Sequence, residues 1–188
     1  MPFASCFILR MTVLVLTVFL LGGGALRADL LKNEKFKEGK APWKGDVQDL
    51  PAALGQAAPS GVLIKLKKDK WVRMYQTFKK SSKFLGYTIT YQLSTDYKLL
   101  FAAKSSVNFP EFRALDAPED RWLLSLGQNR GWYSDYLKPS ADLSAPVTMI
   151  GTVPGPDNVG ECTIGLAFPP GEGTITFLEF SIVTRDSR

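Results

Sequence analysis

The chain has 188 residues, 45% hydrophobic and 22% charged, with a formal net charge of +5 and no histidine at all. The missing histidine excludes Ser-His-Asp and Cys-His catalysis and His-ligated zinc or copper sites. The positive balance is too mild and too scattered for a nucleic-acid protein, which shows a denser basic stripe.

Residues 1–28 read as a secretory signal peptide. Arg10 supplies a positive n-region, Met11 to Leu21 is an uncharged apolar run, and Gly22 to Gly24 break it ahead of Leu26-Arg27-Ala28. The run falls well short of the roughly 20 residues that span a bilayer. An uncleaved anchor is the alternative. No cysteine stands at the end of the run, so a lipid anchor is not indicated. The expected location is outside the cytoplasm: secreted, periplasmic or at the cell surface. Residues 29–188 are then a single domain, long enough for a real core.

That domain reads as short strands between Gly and Pro turns. Gly61 to Leu66 is the first, and Lys70 to Phe78 the second. In the second, Val72, Met74, Gln76 and Phe78 share a face, and Trp71, Arg73, Tyr75 and Thr77 share the other. Phe84 to Ser94 alternates most cleanly, with Leu85, Tyr87, Ile89, Tyr91 and Leu93 on one side. Lys98 to Ala103, Arg121 to Leu126, Pro146 to Thr152, Glu161 to Phe168 and Gly173 to Thr184 follow. In the last, the pattern moves from Ile175 and Phe177 to Leu178, Phe180 and Ile182, which a β-bulge or burial on both faces explains. Leu50 to Gln56 offers one turn of helix, and Asn108 to Asp120, with Pro110 and Pro118, reads as a long loop. Many short strands with turns between them predict an all-β fold, a two-sheet antiparallel β-sandwich.

Cys162 is the one cysteine beyond residue 28, so the domain closes no internal disulfide. It alternates with Ile164, Leu166 and Phe168 and reads as a buried thiol that packs as a small hydrophobe.

The order of several segments resembles the galactose-binding-like jelly-roll domains found among carbohydrate-binding modules. Asn33, Phe36, Gly39 and Trp43 are similar to the N-terminal signature of those modules. Trp71 to Phe78 resembles a strand with an aromatic, then Gln, then an apolar residue. Tyr87 to Tyr91 and Gly173 to Val183 resemble the next strand and the closing strand. The likeness spans residues 30–94 and 160–183. It implies a jelly roll in which Phe36 and Trp43 plug one end and Gln76 hydrogen-bonds nearby backbone. Many such modules hold a structural calcium with an acidic residue after the early Phe and another in the closing strand. Here Lys37 follows Phe36, and only Glu38 and Glu179 remain. No metal and no cofactor are expected, because a hard cation wants six to eight oxygens.

Residues 128–136 form the densest candidate binding segment, in a loop or irregular strand. Asn129, Arg130, Trp132, Tyr133 and Tyr136 mix aromatic faces with hydrogen-bonding groups, as sugar sites do. Packing of Trp132 and Tyr136 over the core is the alternative. Trp71 and Tyr75 offer a second stripe, either a binding platform or a sheet face covered by a loop. Glu111, Asp116, Glu119 and Asp120 cluster in one stretch and read as a solvated turn rather than a catalytic carboxylate pair. The expectation is an exported, non-catalytic β-sandwich module whose partner is a glycan or another extracellular ligand. The alternatives are a structural or protein-interaction domain of the envelope with no sugar site, and a carboxylate-dependent glycoside hydrolase.

Overall fold

The computed structural model describes residues 29–52, 59–80, 84–100, 107–109, 112–114, 120–128, 131–140, 142–154 and 160–185. The strands, in chain order, are β1 (Lys44–Gly45), β2 (Val47–Asp49), β3 (Val62–Lys65), β4 (Val72–Lys80) and β5 (Phe84–Leu93). Then come β6 (Lys98–Leu99), β7 (Val107–Phe109), β8 (Phe112–Ala114), β9 (Trp122–Gln128) and β10 (Gly131–Leu137). The chain closes with β11 (Val147–Pro154), β12 (Gly160–Phe168), β13 (Gly171–Glu172) and β14 (Thr174–Arg185). There is no helix among the described residues.

Two antiparallel five-stranded sheets, β1-β4-β12-β9-β10 and β11-β5-β14-β3-β2, make a β-sandwich. The predicted alternations hold. Val72, Met74, Gln76 and Phe78 of β4 are buried, as are Cys162, Ile164, Leu166 and Phe168 of β12. Leu85, Tyr87, Ile89, Tyr91 and Leu93 of β5 face them from the second sheet.

Aromatic rings fill both ends of this core. At one end Trp122 meets Tyr91 edge-on with centroids 4.6 Å apart and Phe168 at 5.2 Å, and Phe168 lies 5.7 Å from Phe177. The buried polar atoms of these rings are paired. Trp122 Nε1 donates to Tyr97 Oη at 2.9 Å, and Tyr91 Oη accepts from the Ser140 N–H at 2.8 Å. At the other end Trp43 stacks on Phe180 at 5.1 Å and contacts Phe36 at 5.4 Å, the plug expected from the sequence. Asn33 and Phe36 hold φ of 53° and 51° there. The Asn33 amide stabilises the turn by donating to Gly39 O and Ala41 O, both at 2.7 Å, and accepting from the Glu38 N–H at 3.1 Å.

The bulge expected in the closing strand falls between Phe177 and Glu179. It coincides with a change of partner. Up to Phe177, β14 pairs with β3. Beyond it, that edge is taken by residues 29–34: Phe180 N–H donates to Glu34 O and Leu30 N–H to Ile182 O, both at 2.8 Å. Ile182 N–H donates to Asp29 Oδ1 at 3.2 Å. The buried Gln76 ties this strap to the first sheet. Its Oε1 accepts from the Lys32 N–H at 2.7 Å, and its Nε2 donates to Lys32 O at 3.0 Å.

Two readings of the sequence need correction. Within 108–120, residues Val107–Phe109 pair with Phe112–Ala114 as a hairpin; strands of three residues are too short to show alternation. Residues 131–137 are a regular strand rather than a loop or an irregular strand, paired along their whole length with β9. The polar Ser134 and Asp135 interrupt the hydrophobic pattern there. The expected helical turn at Leu50 to Gln56 lies largely outside the described residues.

Replacing Gln76 by Leu keeps the volume but leaves the Lys32 N–H and C=O without their partner. We expect a loss of about 2 kcal/mol, the cost of stranding buried polar groups, read from the urea midpoint.

Candidate functional site

Strand alternation decides which residues the first sheet turns away from the core. Because Met74, Leu166 and Leu124 point inward, their neighbours in sequence point out. The register then aligns the outward residues in rows across the strands. One row runs Arg73, Ala167, Leu123, Tyr136, and the next Tyr75, Gly165, Ser125, Ser134. A third aligns Thr77, Thr163 and Gly127 with residue 132. Apart from Leu123, the two central strands thus carry small residues, and the flanking β4 and β10 carry the aromatic ones. At about 4.8 Å per strand, β4 and β10 stand roughly 14 Å apart.

The small floor is buried: Ala167 and Leu123 have no exposure and Ser125 has 1%. Trp71, Tyr75 and Tyr136 are packed against Leu123 and Ala167, and each stays half-buried. The Arg73 guanidinium lies 5.4 Å from the centre of the Tyr75 ring, a cation–π contact. Thr77 and Thr163 share a hydroxyl hydrogen bond of 3.2 Å on the same face. Lys44, opposite Tyr75 on β1, is exposed.

At the end of this face, a cleft of about 570 Å³ opens between β4, β12 and the strap. Thr77, Lys79 and Glu161 line it together with Asp29, Lys32 and Gln76. Gln76 is committed to the Lys32 main chain. Burial pushes the Asp29 carboxyl up, against the opposing pull of the Leu31 and Ile182 N–H groups that it accepts from. Among the described residues no group of three His, Cys, Asp or Glu side chains is placed to hold a metal ion.

The 128–136 segment divides across its strand. Tyr136 belongs to the outward row of Leu123 and Arg73. Tyr133 belongs to the row of Leu126 and Ile164, half-buried and packed against the core. Burial raises the Tyr133 hydroxyl pKa, with the Asp135 charge adding to it. The backbone of Trp132 pairs with Gly127, while its side chain and all of Asn129 and Arg130 lie outside the described residues. Of the four acidic residues in the 111–120 stretch, Asp120 is described; it lies 3.7 Å from Arg121 Nε and 3.8 Å from Lys138 Nζ. The sequence already placed Trp71 and Tyr75 on one face. It did not join them to Tyr136, although small residues alternating along both central strands signal a floor.

No protein-family model matches the chain, and none of the curated proteins matches it. Solved structures do. A family 61 carbohydrate-binding module in complex with β-1,4-galactotriose superposes with a TM-score of 0.52 at 13% identity, over 84% of this chain and 99% of that one. The fold is that of the carbohydrate-binding modules. A family 16 carbohydrate-binding module matches at 0.53 and 11% identity, covering 82% and 99% of the two chains. The enzymatically active domain of a bacteriophage tailspike protein matches at 0.51 and 7% identity, over 82% of this chain and 21% of that one. At such identities the likeness is one of fold.

The buried tyrosines have a consequence in alkali. Burial raises the hydroxyl pKa of Tyr87, Tyr91, Tyr97 and Tyr133. A raised folded-state value means that this stabilisation is present below about pH 10 and is lost as pH climbs through the folded-state values. Tyrosinate absorbance of the native protein should therefore lag behind that of the protein in guanidinium near pH 11, and coincident titration curves would contradict the assignment.

Proposed function

We propose that the protein is an exported, non-catalytic carbohydrate-binding module that takes its glycan across the outward face of the β1-β4-β12-β9-β10 sheet. Residues 1–28 direct export and residues 29–188 form the module. The observation that carries this reading is the set of half-buried aromatic side chains, Trp71, Tyr75 and Tyr136, packed on a buried floor of Leu123 and Ala167. Sugars present CH patches that aromatic surface covers, and hydroxyls that amides, hydroxyl groups and Arg hold. A floor fixed by the core keeps these groups in position before the ligand arrives, which lowers the ordering cost of binding.

In this reading Tyr136 contributes apolar surface directly. Trp132, Asn129 and Arg130 extend the site at the β9–β10 end, and Tyr133 braces the strand from its core side. Thr77 and Thr163 supply hydroxyls. The fold shared with carbohydrate-binding modules supports the reading, as does the solved complex of one of them with a galactotriose.

The test is a glycan array probed with the purified protein and with Tyr136→Ala and Trp132→Ala. The wild type should bind, and Tyr136→Ala should lose at least about tenfold in affinity, the weight of a central aromatic contact, while its circular dichroism stays native. A blank array with well-folded protein would sink the proposal and turn the search toward protein partners.

A further inference from the structure

We infer that the glycan taken by this face is acidic, a chain bearing uronate carboxylates rather than a neutral one. The inference rests on the carbohydrate-binding reading and adds the ligand's charge.

Several basic side chains stand along or beside the rows just described. Lys44 and Arg73 flank Tyr75. Lys79, exposed, lies beyond Thr77, where Lys32 joins it at the cleft. At the opposite end Arg121 and Lys138 stand beside Asp120. The described carboxylates on or beside these rows are Glu161, opposite Lys79 across the strands, Asp29 at the cleft, and Asp120. Asp46 is near too, but Lys67 Nζ neutralises it at 2.7 Å while its other oxygen accepts from the Arg73 N–H at 3.1 Å. Among the described residues, cations therefore outnumber anions on both sides of the aromatic set.

Arg73 is the group best suited to read a carboxylate. It sits in the same row as Tyr136, across Ala167 and Leu123. Its half-buried position strengthens the attraction relative to a fully solvated lysine. A guanidinium carries five N–H donors in a planar fork, enough to serve a carboxylate with two of them alongside the contacts it already makes. A uronate attaches its carboxylate to the pyranose ring. One ligand can thus put a carboxylate on Arg73 and a CH face on Tyr136, about three sugar units away at the interstrand spacing. A neutral sugar would use neither the fork nor the surrounding lysines fully.

The discriminating experiment is calorimetry of the purified chain with oligogalacturonate, neutral β-1,4-galactan oligomers and single-stranded DNA, at low and moderate salt. Oligogalacturonate should bind about tenfold or more tighter than galactan, the weight of a charge-assisted pair, and lose that margin as salt rises. Arg73→Gln should erase the margin, so that this variant binds oligogalacturonate no tighter than it binds galactan. Lys44→Gln with Lys79→Gln, both at exposed positions, should reduce it without touching the packed floor. Galactan binding as tight as oligogalacturonate would overturn the acidic ligand and leave the carbohydrate reading standing. DNA bound as tightly as the uronate would show mere polyanion attraction and also overturn it. Binding to neither glycan by folded protein would remove both readings together.

Discussion

Burial of one face of β4, β12 and β9 is the constraint on which the rest of this molecule depends. Met74, Leu166 and Leu124 must enter the core, because excluding such side chains from water is the main force holding a disulfide-free domain of this size. A strand has only two faces. Once those residues are inside, Tyr75, Gly165 and Ser125 are outside and in line, with no freedom to slip, since a one-residue shift would expose the whole hydrophobic set. The external face is as rigid as the core because it is the reverse of the same strands.

That rigidity explains the division of labour across the sheet. The central strands place Gly165, Ala167, Ser125 and Gly127 outward, where larger residues would fill the space over the floor. The flanking strands β4 and β10 carry the aromatic side chains that pack down from either side. Close backbone approach shapes the border as well. Gly45 holds φ at 105°, and a Cβ there would collide with the Arg73 carbonyl oxygen, so β1 can lie against β4 only with glycine at that point.

Most of the fold was legible because its central strands are long and one-sided. Phe84 to Leu93 could be read as a strand from the spacing of Leu85, Tyr87, Ile89, Tyr91 and Leu93 alone. The bulge was legible for the same reason: a change of phase at Leu178 is visible wherever the phase is strong. Gln76 stood out as a polar residue on an apolar face, and its amide does bond backbone, that of Lys32. What escaped was short or peripheral. β7 and β8 are three residues each, and β10, an edge strand, mixes Ser134 and Asp135 with aromatics and so hides its period. The face around Tyr136 was only half legible, since it is assembled from four strands whose pairing order is a tertiary fact. Sequence proximity grouped Tyr133 with Tyr136, and the pleat then separated them.

The handover of hydrogen bonds at the closing strand has a practical side. Asp29 bridges to Val183, so residue 29 and the last described turn of β14 meet at one pole of the sandwich. That pole adjoins the cleft beside Lys79, since Asp29 and Lys32 line both. A reporter or fusion partner joined at either of these positions would emerge next to the Lys79 end of the outward face, leaving the Lys138 end clear. Immobilisation through that pole would cover the Lys79 end of the outward face, whereas a label on β11, an edge strand of the other sheet, would sit on a strand that does not form that face.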